Sequence, residues 1–192
     1  MGGSITHPDR AARAAALTRF LHALHSALAD AATNAVAPNA AGALSLVAEL
    51  DAFSLALAWT QNPNYRRRPP DPSFLDNYGY AVIAGPADGP PALAVHPHLA
   101  LGVLLLGPHA HYPIHAHPAT EVYYTLTPGG EWWRDDGPWR AEPAGTAIHH
   151  PPNVRHATRA GASPLLAVYL WSGDLATHAR LADPDMTLPD LI

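Results

Sequence analysis

The chain has 192 residues and a formal net charge of -5 at pH 7, which suits a single domain large enough to bury a core. It contains no cysteine, so disulfides and thiolate metal sites are excluded, and any metal must bind imidazole, carboxylate or phenolate groups. The negative charge argues against nucleic acid as the main partner, and no stretch approaches the roughly 20 apolar residues that cross a membrane. No signal-peptide pattern opens the sequence, so we expect a soluble cytoplasmic protein.

The first predicted element is a helix from Pro8 to about Thr33, because apolar residues recur there at spacings of three and four. A second helical segment starts after Gly42 and continues towards Trp59, beyond which prolines stop it. The two apolar stripes consist of Leu17, Phe20, Leu21, Leu24 and Leu28, and of Leu44, Val47, Leu50, Phe53 and Leu57. We assign residues 1–75 to this helical segment and a proline-rich linker, and we expect both to pack on the domain that follows.

Beyond Tyr78 the sequence changes to short β-rich runs separated by Gly and Pro. The runs cover residues 80–84, 99–106, 121–126, 146–149 and 165–171. Short strands with turn signals every dozen or so residues are typical of a sandwich or barrel. We therefore predict a β-domain over residues 76–192, with its strands between 78 and 173 and a short helical or irregular tail from Asp174.

Histidine is frequent in this β-domain, and seven of the 13 in the chain fall between residues 109 and 156. Successive side chains of a strand alternate between its faces, so His115, His117, Glu121 and Tyr123 share one side if the chain stays extended. Pro118 allows a turn or bulge within this segment. The pattern predicts that these side chains point into the interior of a barrel.

The segment from His115 to Glu121 resembles the first conserved motif of the cupins. That motif pairs His-x-His with a glutamate four residues after the second histidine, as His115, His117 and Glu121 do here. The glycines that flank the motif are displaced, because Gly107 lies too early and Gly129 too late. The core of the motif is complete.

A later segment resembles the second cupin motif. Gly145, Pro151 and His156 stand at its spacing, while Asn153 replaces a usual glycine and Ala160 a frequent asparagine. Asparagine tolerates the left-handed backbone conformation better than most residues, so the turn can survive.

Together the two motifs imply an α+β chain, with N-terminal helices followed by a single small cupin barrel, a double-stranded β-helix of the jelly-roll type. The resemblance also implies one divalent transition metal per chain, which is Fe, Mn, Zn, Ni or Co. Its implied ligands are His115, His117, Glu121 and His156. We expect His109, His111, His149 and His150 to lie near this site or on the surface without binding the metal. A metal-free network of hydrogen-bonded histidines is the alternative.

The wider segment from His111 to Tyr124 resembles the cupin dimethylsulfoniopropionate (DMSP) lyases, which join an N-terminal helical part to a small cupin barrel. The resemblance implies that Tyr123 is the catalytic tyrosine and that Tyr112 helps to hold the substrate, DMSP. It also implies that the reaction removes a proton alpha to the carboxylate, after which dimethyl sulfide leaves to give acrylate.

These residue types fit that chemistry. A metal cation stabilises the charge that develops on deprotonation and lowers the pKa of a nearby phenol, which makes Tyr123 a candidate base. Aromatic faces attract a sulfonium ion through cation-π interactions. The candidate walls of the substrate pocket are Tyr65, Tyr80, Tyr112, Trp132, Trp133, Trp139, Tyr169 and Trp171.

Two other functions remain open at this point. The same ligands could serve another metal-cupin enzyme, such as a dioxygenase or isomerase that acts on a small carboxylate. The barrel could also bind a ligand without catalysis. We further expect a homodimer, and we interpret the linker from Pro63 to Tyr78 as a surface segment or a cover for the barrel mouth.

Overall fold

The computed structural model of the protein describes residues 10–33 and 38–182. Three α-helices precede and flank the first strands: α1 (Arg10–Thr33), α2 (Ala40–Asp51) and α3 (Pro63–Arg67). The strands are β1 (Trp59–Thr60), β2 (Tyr78–Gly85), β3 (Ala92–Val95), β4 (Leu99–Leu106), β5 (His111–Ala116), β6 (Thr120–Thr125), β7 (Gly130–Arg134), β8 (Arg140–Glu142), β9 (Ala147–His150), β10 (His156–Ala160), β11 (Leu165–Ser172) and β12 (Arg180–Leu181). Short 3-10 turns lie at Ser54–Ala56 and Phe74–Asp76. The predicted helix start at Pro8 lies outside the described residues.

The strands form two sheets that face each other, which confirms the predicted α+β fold with one cupin barrel. The larger, seven-stranded sheet has the order β1-β2-β4-β11-β6-β9, and β3 pairs in parallel with β2 at its side. The smaller, five-stranded sheet has the order β12-β5-β10-β7-β8. All pairings other than that of β2 with β3 are antiparallel, and inward side chains of both sheets pack together in one buried cluster.

The outer face of the larger sheet is covered by α1 and α2. One turn of α1 inserts Phe20 against Phe53, with ring centroids 5.4 Å apart in an edge-to-face arrangement. Leu24 of α1 and Leu46 of α2 join the same cluster, which also contains Tyr124 from β6. The helices are therefore part of the hydrophobic core, and β6 is buried on both faces.

The second helix differs from its prediction in register and in length. Leu44, placed on the predicted stripe, is 69% exposed, while Ala43 and Leu46 are fully buried. The helix begins at Ala40 because the side chain of Asn39 caps it by accepting a hydrogen bond from the Gly42 amide at 2.8 Å. It ends at Asp51, so Phe53 and Leu57 reach the core from the turn that follows.

The boundary predicted between residues 75 and 76 does not coincide with the edge of the sheet. β1 lies before that boundary, yet it pairs with β2 through Trp59 opposite Ala81. Within residues 174–182, the part of the tail that the structure describes, the chain is neither helical nor wholly irregular, because β12 pairs with β5 through Leu181 opposite His115. β1 therefore extends the larger sheet, and β12 extends the smaller one.

The turn of the second motif has the backbone that its sequence predicts. Asn153 is in the left-handed region with φ of 62°, where asparagine replaces the usual glycine. Gly145 has φ of 88°, and a Cβ at this position would clash with the backbone of Asn39 at the start of α2. The amide of Asn39 also donates to the carbonyl of Gly145 at 3.3 Å. The motif glycine thus lets the helical segment dock on the barrel.

No helix within residues 10–33 and 38–182 combines the length and the apolar character that a membrane crossing requires.

Candidate metal centre

The predicted site residues come from both sheets and meet between them. His115 lies on β5 of the smaller sheet, and His156 begins β10 beside it as its cross-strand partner. Glu121 and Tyr123 lie on β6 of the larger sheet. His117 lies in the connection between β5 and β6, so the turn that Pro118 allows is present and carries the chain from one sheet to the other.

Glu121 is at the centre of the site, with 1% of its surface exposed. Its Oε2 atom lies 3.2 Å from Nε2 of His117 and 3.3 Å from Nε2 of His156. Its Oε1 atom accepts a hydrogen bond of 2.6 Å from the indole N–H of Trp171, the residue opposite Glu121 on β11. One carboxylate oxygen is therefore fixed by a donor, and the other faces the imidazoles of His117, His150 and His156.

The histidine rings are held by backbone carbonyls. Nδ1 of His117 donates to the carbonyl of Ala119 at 3.1 Å, and Nδ1 of His156 donates to that of Val154 at 3.0 Å. A carbonyl only accepts, so each Nδ1 carries a hydrogen, and Nε2 is the ring atom that faces Glu121 and can bind a metal ion through its lone pair. Metal-binding histidines are commonly oriented in this way.

The arrangement fits a divalent metal ion. His117, Glu121 and His156 offer ligand atoms that all lie within 4.8 Å of one another. Ligand atoms about 2.1 Å from one ion lie roughly 3.0–3.4 Å apart at tetrahedral or octahedral angles, and the two distances from Glu121 Oε2, 3.2 and 3.3 Å, fall in this interval. Nε2 of His156 is buried without a hydrogen-bond partner among the described residues. A bound cation would satisfy this atom.

His115 stands beside this group and is not one of its three members. Its ring lies edge-on to His156, with centroids 4.1 Å apart, and 6.4 Å from the ring of His117. Its Nδ1 donates to the carbonyl of Pro113 at 2.8 Å, and its other side stacks on Tyr112 at 3.8 Å. Like the rings of His117 and His156, the ring of His115 is therefore held through Nδ1 by a backbone carbonyl.

The electrostatics of the cluster favour a negative charge on the carboxylate of Glu121. Burial alone raises the pKa of Glu121, but His117, His150 and His156 outweigh this effect and hold it well below its usual value. Burial, with the neighbouring His156, lowers the pKa of His115 well below its usual value and that of His150 to about 4. The buried carboxylate of Glu121 therefore carries a negative charge that a bound cation could neutralise.

Tyr123 points into the interior as predicted, while Tyr124 packs on the opposite face among the helices. Burial raises the pKa of Tyr123 well above its usual value, and the nearby negative charge of Glu121 raises it further. Both effects raise the pKa of Tyr123 in the metal-free site, whereas a cation beside the phenol would lower it.

A cavity of about 90 Å³ opens next to Glu121. This is several times the roughly 10–15 Å³ that one water needs, so the cavity has room for several waters or a compact organic molecule. Its aromatic walls are Tyr78, Tyr80, Tyr112, Tyr123, Tyr169 and Trp171. Leu175, His178 and Ala179 of the segment before β12 close one side. The cavity thus joins an aromatic space to the carboxylate of the metal centre.

Several predicted wall residues lie elsewhere. Tyr65 is behind the wall, where its hydroxyl accepts a hydrogen bond of 3.1 Å from that of Tyr112. Trp132 is buried against Tyr123, with ring centroids 4.9 Å apart. Trp139 packs at the surface under the guanidinium of Arg159, and Trp133 is half-buried on β7. Tyr78, which lines the cavity, was not among the predicted walls.

His150 is the main residue that the sequence placed too far from the centre. It lies opposite Glu121 on β9, is 1% exposed, and approaches Oε2 through Nδ1 at 3.3 Å. The outward positions of His109, His111 and His149 are as expected, because all three are exposed. Alternation within β9 could have shown that one of His149 and His150 faces inward, but not which one.

The linker between the helices and β2 borders the cavity through Asn62. The side-chain amides of Asn62 and Asn64 both donate to the carbonyl of Ala179, at 2.9 and 3.0 Å. Tyr65, which follows Asn64 on α3, is fully buried. This part of the linker is therefore a packed wall of the site, while its arginines from Arg66 to Arg68 are exposed.

Comparisons with known proteins agree with this architecture. The family model for dimethylsulfoniopropionate lyase matches residues 10–167. The dimethylsulfoniopropionate lyase DddQ of Ruegeria pomeroyi is 33% identical over 112 residues, which are 58% of this chain and 54% of the relative, so that alignment spans about half the relative's length. The crystal structure of DddQ from Ruegeria pomeroyi DSS-3 covers 90% of this chain and 98% of its own, with a TM-score of 0.70 and 24% identity.

A second solved structure, from work on the DMSP lyases RdDddP and RnDddQII, covers 89% of this chain and 100% of its own, with a TM-score of 0.71 and 20% identity. At these identities the two structures establish the fold alone. The family model, in contrast, matches most of the sequence, including the segment that carries His117, Glu121 and His156. On that match, the chain belongs to the dimethylsulfoniopropionate lyase family.

Proposed function

We propose that the protein is a metal-dependent lyase that cleaves DMSP to dimethyl sulfide and acrylate. Beyond family membership, one observation carries the proposal. Tyr123 and Glu121 line the same aromatic cavity, and Glu121 belongs to the cluster with His117 and His156. A base, a metal site and a pocket for a small cation are thus adjacent.

His117, Glu121 and His156 hold the metal in this proposal, and His115 stays a predicted fourth ligand beside them. A divalent ion at this site would supply a Lewis acid for the substrate carboxylate and would stabilise the negative charge that develops as the alpha carbon loses its proton. The donor set of imidazoles and a carboxylate suits Fe, Mn, Zn, Ni or Co.

Tyr123 acts as the general base through its phenolate oxygen. The oxygen takes a proton from the carbon alpha to the carboxylate, and the electron pair of that C–H bond becomes the double bond of acrylate. The bond from the beta carbon to sulfur breaks at the same time, and its electron pair leaves with neutral dimethyl sulfide. The proton on Tyr123 must then return to water before the next turnover.

The sulfonium end of the substrate lies among aromatic rings. Tyr80 and Tyr169 stand 6.3 Å apart in the cavity wall, and Tyr169 is also 6.3 Å from Trp171. Ring faces attract a desolvated cation, so they lower the free energy of the bound substrate without offering a competing acid. Dimethyl sulfide carries no charge and loses this attraction, which favours its release.

Tyr112 has a more indirect place in the site. Its hydroxyl donates to Tyr65, while its ring lines the cavity and stacks on His115 at an interplanar angle of 4°. It therefore contributes to substrate binding through the face and edge of its ring, and it fixes the orientation of a predicted ligand.

Headspace analysis of dimethyl sulfide from metal-loaded protein incubated with DMSP tests the proposal, with His156→Ala as the control. Release that depends on His156 supports both the substrate and the role of the metal. Absence of release from protein that retains its metal refutes the substrate. Oxygen consumption with small carboxylates would then indicate a dioxygenase, and recovery of an unchanged bound ligand would indicate a binding protein.

A further inference from the structure

His150 takes no part in the function proposed above, although it lies in the metal centre. It is the last residue of β9, is 1% exposed, and stands opposite Glu121 in the larger sheet. The turn that follows it carries the chain across to β10 of the smaller sheet, where His156 begins the strand. His150 is thus placed at the junction of the two sheets.

His150 contacts one metal-binding residue from each sheet. Its Nδ1 lies 3.3 Å from Oε2 of Glu121. Its ring stacks on that of His156, with centroids 4.0 Å apart and an interplanar angle of 24°. A carboxylate oxygen without a proton can only accept, so Nδ1 of His150 carries the hydrogen and donates it.

Glu121 is therefore held from two sides. Trp171 donates to Oε1 from β11, and His150 donates towards Oε2 from β9. The two donors lie on the strands that flank β6, so they limit the rotation of the carboxylate about its last bond. Oε2 stays directed at His117 and His156 as a result.

We propose that His150 is a positioning residue of the metal centre, which orients Glu121 by hydrogen bonding and supports the ring of His156 by stacking. The inference rests on the metal site of the proposed function, but it does not depend on the substrate. Removal of such a partner of a metal ligand typically weakens metal binding by about 10- to 100-fold.

Titration with Zn²⁺ alone, in competition with a chelator of known affinity, tests the proposal. His150→Asn keeps an N–H on the atom bonded to Cγ and removes the ring, whereas His150→Leu keeps a similar volume and removes the donor. His149→Leu is the matched control, because His149 is the exposed neighbour on the same strand. Circular dichroism establishes that each variant is folded, and His150→Ala replaces His150→Leu if the latter does not fold.

The expected result is a Zn²⁺ affinity reduced by about 10- to 100-fold in His150→Leu and unchanged in His149→Leu. His150→Asn should restore the affinity in part, because it regains the donor but not the stacked ring. Equal affinity of His150→Leu and the original protein would overturn the proposal. So would an asparagine variant as weak as the leucine variant, because His150 would then act by packing alone. An original protein that binds no Zn²⁺ also overturns it, whereas one that binds Zn²⁺ without cleaving DMSP refutes only the proposed substrate.

Discussion

Replacement of Trp171 by Phe tests how strongly the indole stabilises the buried carboxylate. The change removes the 2.6 Å hydrogen bond to Oε1 of Glu121 and leaves a ring of similar shape against His117, whose centroid lies 4.1 Å from that of Trp171. A hydrogen bond to a charged group contributes about 1.5–3 kcal/mol to stability, and a buried oxygen that loses its donor also loses compensation for its desolvation. We expect the free energy of unfolding of the metal-free protein to fall by about 2 kcal/mol.

The assay is urea unfolding of the metal-free protein followed by far-UV circular dichroism, since loss of a tryptophan alters the fluorescence signal. With an m value of about 2 kcal/mol/M, the midpoint should fall by about 1 M urea. Trp133→Phe is the matched control, because Trp133 follows the inward-facing Trp132 on β7 and lies on the other face of that strand. Equal midpoints for the two variants, or no loss in Trp171→Phe, would refute the reasoning.

Three further outcomes can be measured on the same protein. Tyr123→Phe should lower dimethyl sulfide release by at least about 100-fold, as expected for loss of a general base, while elemental analysis finds the metal content unchanged. Gly145→Ala should cost at least about 2 kcal/mol in urea unfolding, because φ is 88° and the new Cβ meets the backbone of Asn39. Gly129→Ala, where φ is 85° but nothing lies within 4 Å, should cost less. Equal losses of stability in the two variants would show that the contact with Asn39 does not matter. The pKa of His150 falls from 6.5 to about 4 on folding, so the unfolded chain binds more protons between these values. The metal-free protein should therefore lose up to about 3 kcal/mol of stability as the pH falls from 6.5 to 4, and a loss of equal size in His150→Asn would show that another group is responsible.

The chain order of the fold could be predicted from periodicity alone. Alanine and leucine at helical spacing predict α1, and β-rich runs between glycines and prolines predict most of the larger sheet. The face of α2 could not be predicted so simply, because Leu44 and Ala43 are equally compatible with a helix. Contact with a neighbouring element decides between them, and Ala43 is the one that faces it.

The clustering of His117, Glu121 and His156 could be predicted because the two motifs join their spacing to a known arrangement, and their role as metal ligands stays a prediction. The partners of Glu121 could not, since His150 and Trp171 reach it across strands whose register depends on the whole sheet. Tyr78 and the segment around Ala179 were missed as cavity walls for the same reason. A homodimer and a cytoplasmic location stay predictions.

The division of the metal-binding residues between two sheets has a consequence for the maturation of the protein. Glu121 belongs to the larger sheet, His156 to the smaller one, and His117 to the connection between them. During synthesis β6 emerges well before β10, so a growing chain holds an incomplete set of ligands until residue 156 has joined its sheet. An ion held by all three residues could be bound only after the barrel closes, so metal content would report on the fraction of chains that have finished folding.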